Sequence, residues 1–317
     1  MQNNEYSLAA QAQQILSQVR QAVVGKDHVL VWVLAAILAK GHILIEDIPG
    51  VGKTTMAVAF SKALGLSYNR VQFTPDVLPS DVTGYTILEQ STGKMVYQPG
   101  AVLCNLFLAD ELNRATSRTQ SALLEAMEEG QVTVDSTRHE LPQPFVVIAT
   151  QNPTGAAGTQ LLPDSQMDRF TVRMSLGYPN AEDEAQMVLK RQGKNPMEAV
   201  QSVVTKEELV VMQNAVAETY VSPAVVDYIV ALIHATRQRE QLLRGASPRA
   251  TLSVTAMAKA IARLQGRDYV VPKDVQEVFA QTVEHRLLIE PKAEALGITA
   301  LHVLQDILQT VPAPKVR

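Results

Sequence analysis

The chain has 317 residues, of which 46% are hydrophobic and 19% charged, and its formal net charge is −4. This composition excludes a disordered chain and predicts a folded protein with a substantial core. The acidic balance excludes a global basic field that would draw the chain to nucleic acid or anionic lipid. The length predicts two packed domains.

The first 40 residues and the cysteine content indicate where in the cell the protein is expected. Residues 1–20 lack the basic and apolar segments of a secretory signal, so we expect a helix there. The apolar run 29–39, ended by Lys40, is shorter than the roughly 20 residues that cross a bilayer. We therefore expect a core helix and no integral membrane segment. The single cysteine, Cys104, cannot form an internal disulfide, which favours a reducing, cytoplasmic location.

Between residues 42 and 178, short apolar runs alternate with helical patterns. The apolar runs include HILIE, NRVQF, LFLAD, FVVIAT and TVRMSL, and the helical ones include TTMAVAFSKAL and TQSALLEAMEE. This alternation predicts an α/β fold with a parallel sheet covered by helices. After Pro179 the pattern is helical, with N-cap signals at Thr205, Ser222 and Ser247. We predict one domain at 1–179 and a second, all-helical lid domain at 180–317.

Two segments of alternating polarity interrupt the first domain. Residues 84–98 carry a turn at 91–93, and residues 131–141 carry a turn at Asp135 and Ser136. Each segment predicts a β-hairpin inserted into the alternation of strands and helices. The hairpins are either surface decoration or contacts for another protein.

Residues 43–55, ILIEDIPGVGKTT, place an apolar strand, a glycine-containing turn and a helix start in sequence. Glycines let backbone N–H groups close around phosphate oxygens, and the helix N-terminus adds partial positive charge. Lys53 would neutralise phosphate oxygens, and Thr54 would ligate Mg²⁺. Asp47 stands where the full pattern has glycine, so we expect its charge to face away from the phosphates. The alternative is a chance glycine-rich turn before a helix.

The run LFLADE ends in two carboxylates, Asp110 and Glu111. In parallel sheets, ligands bind at the carboxyl ends of the strands, where the loop after residues 42–46 also emerges. Asp110 is placed to hold Mg²⁺, and Glu111 to orient and deprotonate an attacking water. An isolated pair of this kind would instead be a solvated acidic loop.

The stretch LFLADELNRATSRTQSALLEAMEEGQVTV is followed in order by FVVIATQNPTG, LPDSQMDRF and GASPRATL. Together these segments resemble the MoxR family of AAA+ ATPases, from about residue 24 to about residue 288. The loop sequence EDIPGVGKT, with Asp47 in place of glycine, also occurs in that family. The 84–98 hairpin matches an insertion that MoxR proteins share with magnesium-chelatase subunits and minichromosome maintenance helicases. The resemblance implies a P-loop AAA+ fold with a C-terminal lid.

The resemblance also implies roles for the residues that match the family's motifs. ATP would be bound by Val24 and Gly25 at the adenine and by Pro49, Gly50, Val51, Gly52, Lys53, Thr54 and Thr55 at the phosphates, with Mg²⁺ on Thr54 and Asp110. Catalysis would fall to Glu111, to Asn152 as sensor 1, to Arg169 as an arginine finger for the neighbouring subunit, and to Arg249 as sensor 2.

Asn152 and Arg169 could each have a purely structural role instead, and Arg249 is subject to an electrostatic constraint. Asn152, which precedes a proline, could simply form a turn. Arg169 could form a surface ion pair with Asp164 or Asp168. Arg249 stands in the first turn of a predicted helix, where a cation is best tolerated if an anion such as ATP compensates it.

We therefore expect a Mg-ATP hydrolysing ATPase that forms a homo-oligomeric ring, expected to be a hexamer. The resemblance implies chaperone-like remodelling of a client protein complex together with a VWA-domain partner. Three alternatives stay open: the motor subunit of a metal chelatase, a motor acting on nucleic acid, and a switch that binds ATP and scarcely hydrolyses it. The missing basic excess argues against nucleic acid. The scattered histidines predict no metal site, and Arg237, Arg239 and Arg244 predict a solvated face.

Overall fold

The structure is a computed structural model that describes residues 7–152, 162–193 and 195–315. Its helices are α1 (Leu8–Ala22), α2 (Asp27–Leu38), α3 (Lys53–Ala63), α4 (Pro79–Thr83), α5 (Ser117–Glu129), α6 (Asp164–Met167), α7 (Ala181–Lys190), α8 (Lys206–Ala217), α9 (Pro223–Arg237), α10 (Pro248–Leu264), α11 (Pro272–Val283), α12 (Pro291–Ala295) and α13 (Ala300–Thr310). Short 3-10 helices lie at Leu112–Arg114, Pro196–Glu198 and Glu284–Arg286.

The strands begin and end close to the predicted apolar runs. They are β1 (Ile43–Glu46), β2 (Tyr68–Gln72), β3 (Gly84–Glu89), β4 (Lys94–Pro99), β5 (Leu106–Asp110), β6 (Gln131–Val134), β7 (Thr137–Glu140), β8 (Val146–Gln151), β9 (Val172–Met174), β10 (Leu242–Arg244) and β11 (Leu288–Ile289). Five of them form one sheet in the order β2-β5-β8-β1-β9, and every neighbouring pair is parallel. The predicted parallel α/β core is confirmed.

Alternate side chains of the central strands are buried on opposite faces of this sheet. In β5, Leu106 and Leu108 belong to one core cluster, whereas Phe107 and Ala109 belong to another. The first cluster also contains residues of α1, α2, α3, α8, α9, α10, α11 and α13, and the second contains residues of α5. Burial on both faces explains why the strands are continuous apolar runs.

The apolar run 29–39 forms most of α2, and eight residues of this helix are buried. It is a core helix, as predicted. Among the residues that the structure describes, no helix is both long and apolar enough to cross a membrane.

The C-terminal part is helical, as predicted, and its core continues the first cluster. Thr205 and Glu208 form a capping box at α8, and α9 and α10 begin at the prolines that follow Ser222 and Ser247. One difference is the antiparallel pair β10 and β11, which ties the α9–α10 connection to the chain after α11. With three and two residues, these strands are too short for an alternating pattern.

Both inserted hairpins are present. Strands β3 and β4 pair antiparallel from Gly84 and Pro99 to Glu89 and Lys94, and β6 pairs with β7 around a turn at Asp135 and Ser136. The ring of Tyr97 in β4 stacks on that of His139 in β7, with ring centroids 3.6 Å apart. The two hairpins therefore contact each other.

The predicted domain boundary falls between β9 and α7 and stays a prediction. Residues 1–6 and 316–317, at the ends of the two predicted domains, lie outside the described residues. The same holds for residues 153–155 of the predicted FVVIATQNPTG motif.

Candidate functional site

The turn between β1 and α3 has the geometry of an anion-binding loop. Gly50 and Gly52 have φ angles of 88° and 97°, which side chains with a Cβ rarely adopt. A Cβ placed on either glycine would meet no atom within 4 Å, so the backbone here borders open space. Gly52 is the N-cap of α3, and the free N–H groups of that helix end therefore border the same space.

Lys53, the first residue of α3, folds its side chain across this loop. Its Nζ donates hydrogen bonds to the carbonyl oxygens of Asp47, at 2.8 Å, and Ile48, at 3.0 Å. Burial lowers the pKa of Lys53, while the charges of Asp47, Asp110 and Glu111 raise it. The ammonium group therefore lies between the loop carbonyls and the carboxylates of the neighbouring strand.

The Asp47 carboxylate faces away from the loop, as predicted. Its Oδ2 accepts hydrogen bonds from the backbone N–H groups of Leu176, at 2.6 Å, and Gly177, at 2.8 Å, and from the hydroxyl of Ser175. Its Oδ1 accepts from the N–H of Ile48. These donors hold the negative charge against the segment after β9.

Asp110 ends β5 beside this loop and is only 8% exposed. Its Oδ1 accepts a hydrogen bond of 2.6 Å from the hydroxyl of Thr150, and its Oδ2 pairs with Arg70 at 2.7 Å. Each oxygen of the carboxylate is therefore held by a partner. A fixed carboxylate that lines the same cleft as a threonine hydroxyl, here Thr54, is a suitable donor set for Mg²⁺.

The chain bends sharply at Glu111, directly after the end of β5. Its backbone is left-handed, with φ 56°, a conformation that is costly for a residue with a Cβ and that clusters at functional sites. Its N–H donates to Thr150 Oγ1 at 2.9 Å, and its carboxylate pairs with Arg114 at 2.6 Å. The Glu111 carboxylate therefore pairs with Arg114, whereas that of the adjacent Asp110 pairs with Arg70.

Two adjoining clefts border the loop. One, of about 340 Å³, is lined by Lys53, Thr54, Asp110, Glu111 and Asn152, together with Pro49, Gly50, Gly52, Thr55, Arg70, Gln72, Thr150 and Gln151. The other, of about 510 Å³, is lined by Val24, Val51 and Thr55 and by residues of the 22–26 and 178–191 segments. Gly25 lies beside it, packed against Asp183 of α7. Twelve of the fourteen predicted site residues therefore lie around one continuous depression.

The two other predicted site residues, Arg169 and Arg249, lie together elsewhere. Both pair with the carboxylate of Glu128 in α5, and Arg169 Nη1 is 2.6 Å from Glu128 Oε2. The alternative partners Asp164 and Asp168 are wrong, because Asp164 pairs with Arg244 and Asp168 with Arg286. Within one chain, the anion that compensates Arg249 is Glu128.

This arginine pair is at the opposite edge of the sheet from the loop. Met127, next to Glu128, contributes its carbonyl oxygen to a contact with His42, which immediately precedes β1, and Thr171, just before β9, donates its N–H to the carbonyl oxygen of His42. The loop follows the other end of β1, about 13 Å away for four residues of strand. Neither arginine lines either cleft beside the loop.

The sequence analysis missed three residues of the site. Arg70 and Thr150 fix Asp110, and Lys26, 6% exposed, donates from its Nζ to the carbonyl oxygens of Gly177 and Tyr178 at the rim of the larger cleft. Polar side chains within apolar strands, as at Arg70 in NRVQF and Thr150 in FVVIAT, were the available signal.

Comparisons with known proteins agree with this geometry. Residues 42–172 match the family model of ATPases associated with various cellular activities, and residues 234–307 match that of the AAA lid domain. The uncharacterized protein YeaC of Bacillus subtilis is 42% identical, with 94% of this chain and 93% of that one covered. Chaperone MoxR1 of Mycobacterium tuberculosis is 40% identical, with 94% and 81% covered.

A crystal structure from Cytophaga hutchinsonii, assigned as an ATPase, superposes with a TM-score of 0.91 at 36% identity and covers 97% of this chain and 96% of its own. The fold and the loop define a nucleotide-binding AAA+ ATPase. The chain belongs to the MoxR family of these ATPases.

Proposed function

We propose that the chain hydrolyses Mg-ATP at the clefts beside Gly50 and Gly52. The observation that carries this proposal is the meeting of Lys53, Thr54, Asp110 and Glu111 in one cleft. The open backbone of the loop and the N-terminus of α3 would hold the phosphates, and Val24 and Gly25 would border the adenine. Thr54 and Asp110 would hold Mg²⁺, which supplies neutralisation of phosphate charge.

The remaining side chains of the cleft would act on the attacking water. Glu111 would accept the proton of that water, and its carboxylate has a partner, Arg114, different from those of Asp110. Asn152 lines the same cleft, and its amide would orient the water or the terminal phosphate. This division of labour places one base and one orienting group on neighbouring strand ends.

Arg169 and Arg249 would complete the site of a neighbouring subunit. Within one chain they lie about a strand length from the loop and line neither of its clefts, whereas an exposed pair of guanidinium groups can enter the cleft of an adjacent subunit. Their side chains are 31% and 41% exposed, and exposed ion pairs such as those with Glu128 are weak. A triphosphate would replace Glu128, which supports a ring, and we propose a hexamer.

We further propose that the ring remodels a client protein complex with a VWA-domain partner. The relatives named MoxR and Chaperone MoxR1 support the chaperone-like part. The tip of the β3–β4 hairpin offers a contact surface, because Leu88 and Met95, which pair across it, are 60% and 64% exposed. A nucleic-acid motor is less well supported, because Arg239 and Arg244 are neutralised by Asp306 and Asp164.

Basal chemistry and partner capture need separate tests. ATP turnover should require Mg²⁺, should disappear with EDTA and should rise faster than linearly with protein concentration.

A Glu111→Gln variant expressed in the native cells should retain a VWA-domain protein, which mass spectrometry would identify, whereas Lys53→Ala should not. Shortening the hairpin between Leu88 and Met95 should abolish this capture and leave basal turnover within a few-fold. Linear turnover without assembly would refute the ring, and equal capture by both variants would refute the nucleotide-dependent partner.

A further inference from the structure

A buried arginine, Arg286, lies directly behind the segment that carries Arg169. It ends the 3-10 helix before β11, and its side chain is only 1% exposed. Its Nη2 donates to the carbonyl oxygen of Phe170 at 2.7 Å, and its Nη1 lies 3.3 Å from Asp168 Oδ1. One guanidinium group therefore holds the residues on both sides of Arg169.

The same guanidinium also holds helix α10, which carries Arg249. Arg286 Nη2 donates to the hydroxyl of Ser253, one turn after Arg249, at 3.0 Å. Ser247, the N-cap of α10, lies 2.9 Å from Asp168 and donates to it, and its side chain makes no cap hydrogen bond to the helix. An N-cap serine ordinarily accepts a hydrogen bond from a backbone N–H of its own helix. Ser247 instead donates to Asp168 and so joins α10 to the segment that carries Arg169.

The position of Arg286 is unfavourable for a charge, which argues against a purely packing role. Burial lowers the pKa of Arg286 to about 10, Asp168 raises it, and the nearby charge of Arg249 lowers it. The group therefore stays charged at neutral pH. A buried charge is stabilised mainly by its specific partners, and an apolar side chain often packs equally well. Here those partners are the supports of Arg169 and Arg249.

We propose that Arg286 is a positioning residue that fixes Arg169 and Arg249 relative to each other, so that both reach the ATP of the neighbouring subunit. This inference rests on the proposed function, in which the two arginines act between subunits. Arg286 itself is buried and would touch no nucleotide. Because a displacement of about 1 Å can cost roughly 100-fold in rate, a loose arginine pair would slow turnover without weakening ATP binding.

The first test separates binding from turnover. Arg286→Met keeps the length of the side chain and removes its charge and donors. We expect Mg-ATP affinity, KM and assembly within about twofold of wild type and kcat lower by roughly 10- to 100-fold. Arg286→Lys should recover part of kcat. The matched control is Arg239→Met, which removes another ion pair of the lid, that with Asp306, and should leave kcat within about twofold.

The second test distinguishes positioning from a structural role. Arg286→Met subunits keep an intact loop, and Lys53→Ala subunits keep well-placed arginines, so mixing them should restore hydrolysis. If Arg286 served only the fold, its own site would be damaged too, and mixing would restore nothing. The reference is the mixture of Arg169→Ala with Lys53→Ala. If the reference recovers and Arg286→Met does not, this inference fails. If the reference itself co-assembles without recovery, the proposed function fails.

A milder variant keeps the inference testable if Arg286→Met does not fold. Asp168→Asn removes the carboxylate charge that joins Arg286 to Ser247, at a side chain that is 23% exposed. It should lower kcat with unchanged ATP affinity and should also be rescued by Lys53→Ala subunits. Wild-type kcat in Asp168→Asn, or a loss of kcat that mixing does not rescue, would contradict the role of this linkage.

Discussion

Within the loop, the ammonium group of Lys53 is best placed to bind phosphate. Its present acceptors are two backbone carbonyls, which a triphosphate would replace with stronger, charge-assisted hydrogen bonds. Lys53→Ala should therefore weaken ATP binding by about 2 to 3 kcal/mol, roughly 30- to 150-fold in Kd. Isothermal calorimetry measures this directly. Lys62→Ala, on the exposed side of the same helix, is the control, and equal affinities in the two variants would contradict the assignment of the loop.

Glu111 has a different role, because it would act on water rather than on the nucleotide. Glu111→Gln should keep Mg-ATP affinity while steady-state hydrolysis falls by roughly two orders of magnitude or more. Glu277→Gln, an exposed glutamate of α11, should leave both quantities unchanged. Wild-type turnover in Glu111→Gln would show that another group is the base.

At the residue scale, contiguous motifs were predictable and distant partners were not. Lys53, Thr54, Asp110 and Glu111 stand in short patterns whose chemistry is local. The partners that hold site residues are remote in sequence: Arg70 is 40 residues from Asp110, and Glu128 is 121 residues from Arg249. A sequence shows that a carboxylate needs a partner, but only the packed sheet and lid determine which one it meets.

At the scale of elements, His42 connects three of them at the amino edge of the sheet. Its Nδ1 accepts from the N–H of Val147 in β8, and its Nε2 lies 3.1 Å from the carbonyl oxygen of Met127 in α5. Burial lowers the pKa of His42 from 6.5 to about 4, and the hydrogen bond to Met127 acts in the opposite direction. The folded protein therefore holds a neutral imidazole at the start of β1.

This shift makes stability depend on pH. Below pH 6.5 the unfolded chain binds a proton at His42 that the folded chain does not, so stability is lost as the pH falls from about 6.5 to about 4. Between pH 7 and pH 5 the loss is about 2 kcal/mol. Urea unfolding of His42→Gln should show a pH-dependent decrease smaller by this amount. An identical decrease in both proteins would contradict a neutral buried His42.

The elements themselves were largely predictable. The central strands β1, β5 and β8 are apolar because both faces of the sheet are covered there, and the hairpins carry their turns at 91–93 and 135–136, as the alternating pattern indicated. The pairing of β10 with β11 was not predictable, because it depends on where α11 places the chain. The stacking of Tyr97 on His139 likewise follows from the placement of two insertions that a sequence treats separately.

At the scale of the whole molecule, the two functional groups of side chains lie at opposite edges of the sheet. The loop, Asp110 and Glu111 occupy the carboxyl edge, while Arg169 and Arg249 meet Glu128 at the amino edge. Under the proposed function, a single chain would supply half of each of two sites. The central claim of the account is that hydrolysis needs two subunits, one supplying the loop and the other the arginines.

Mixing two inactive variants tests this claim most directly. Lys53→Ala has a defective loop with intact arginines, and Arg169→Ala has the reverse, with hydrolysis reduced by roughly a thousandfold. Co-assembly is checked first by cross-linking or light scattering. The account predicts that ATP hydrolysis returns in the mixture, because some interfaces then combine an intact loop with an intact Arg169. Confirmed mixed assemblies that stay as inactive as the separate variants would contradict it and would assign Arg169 to its own subunit.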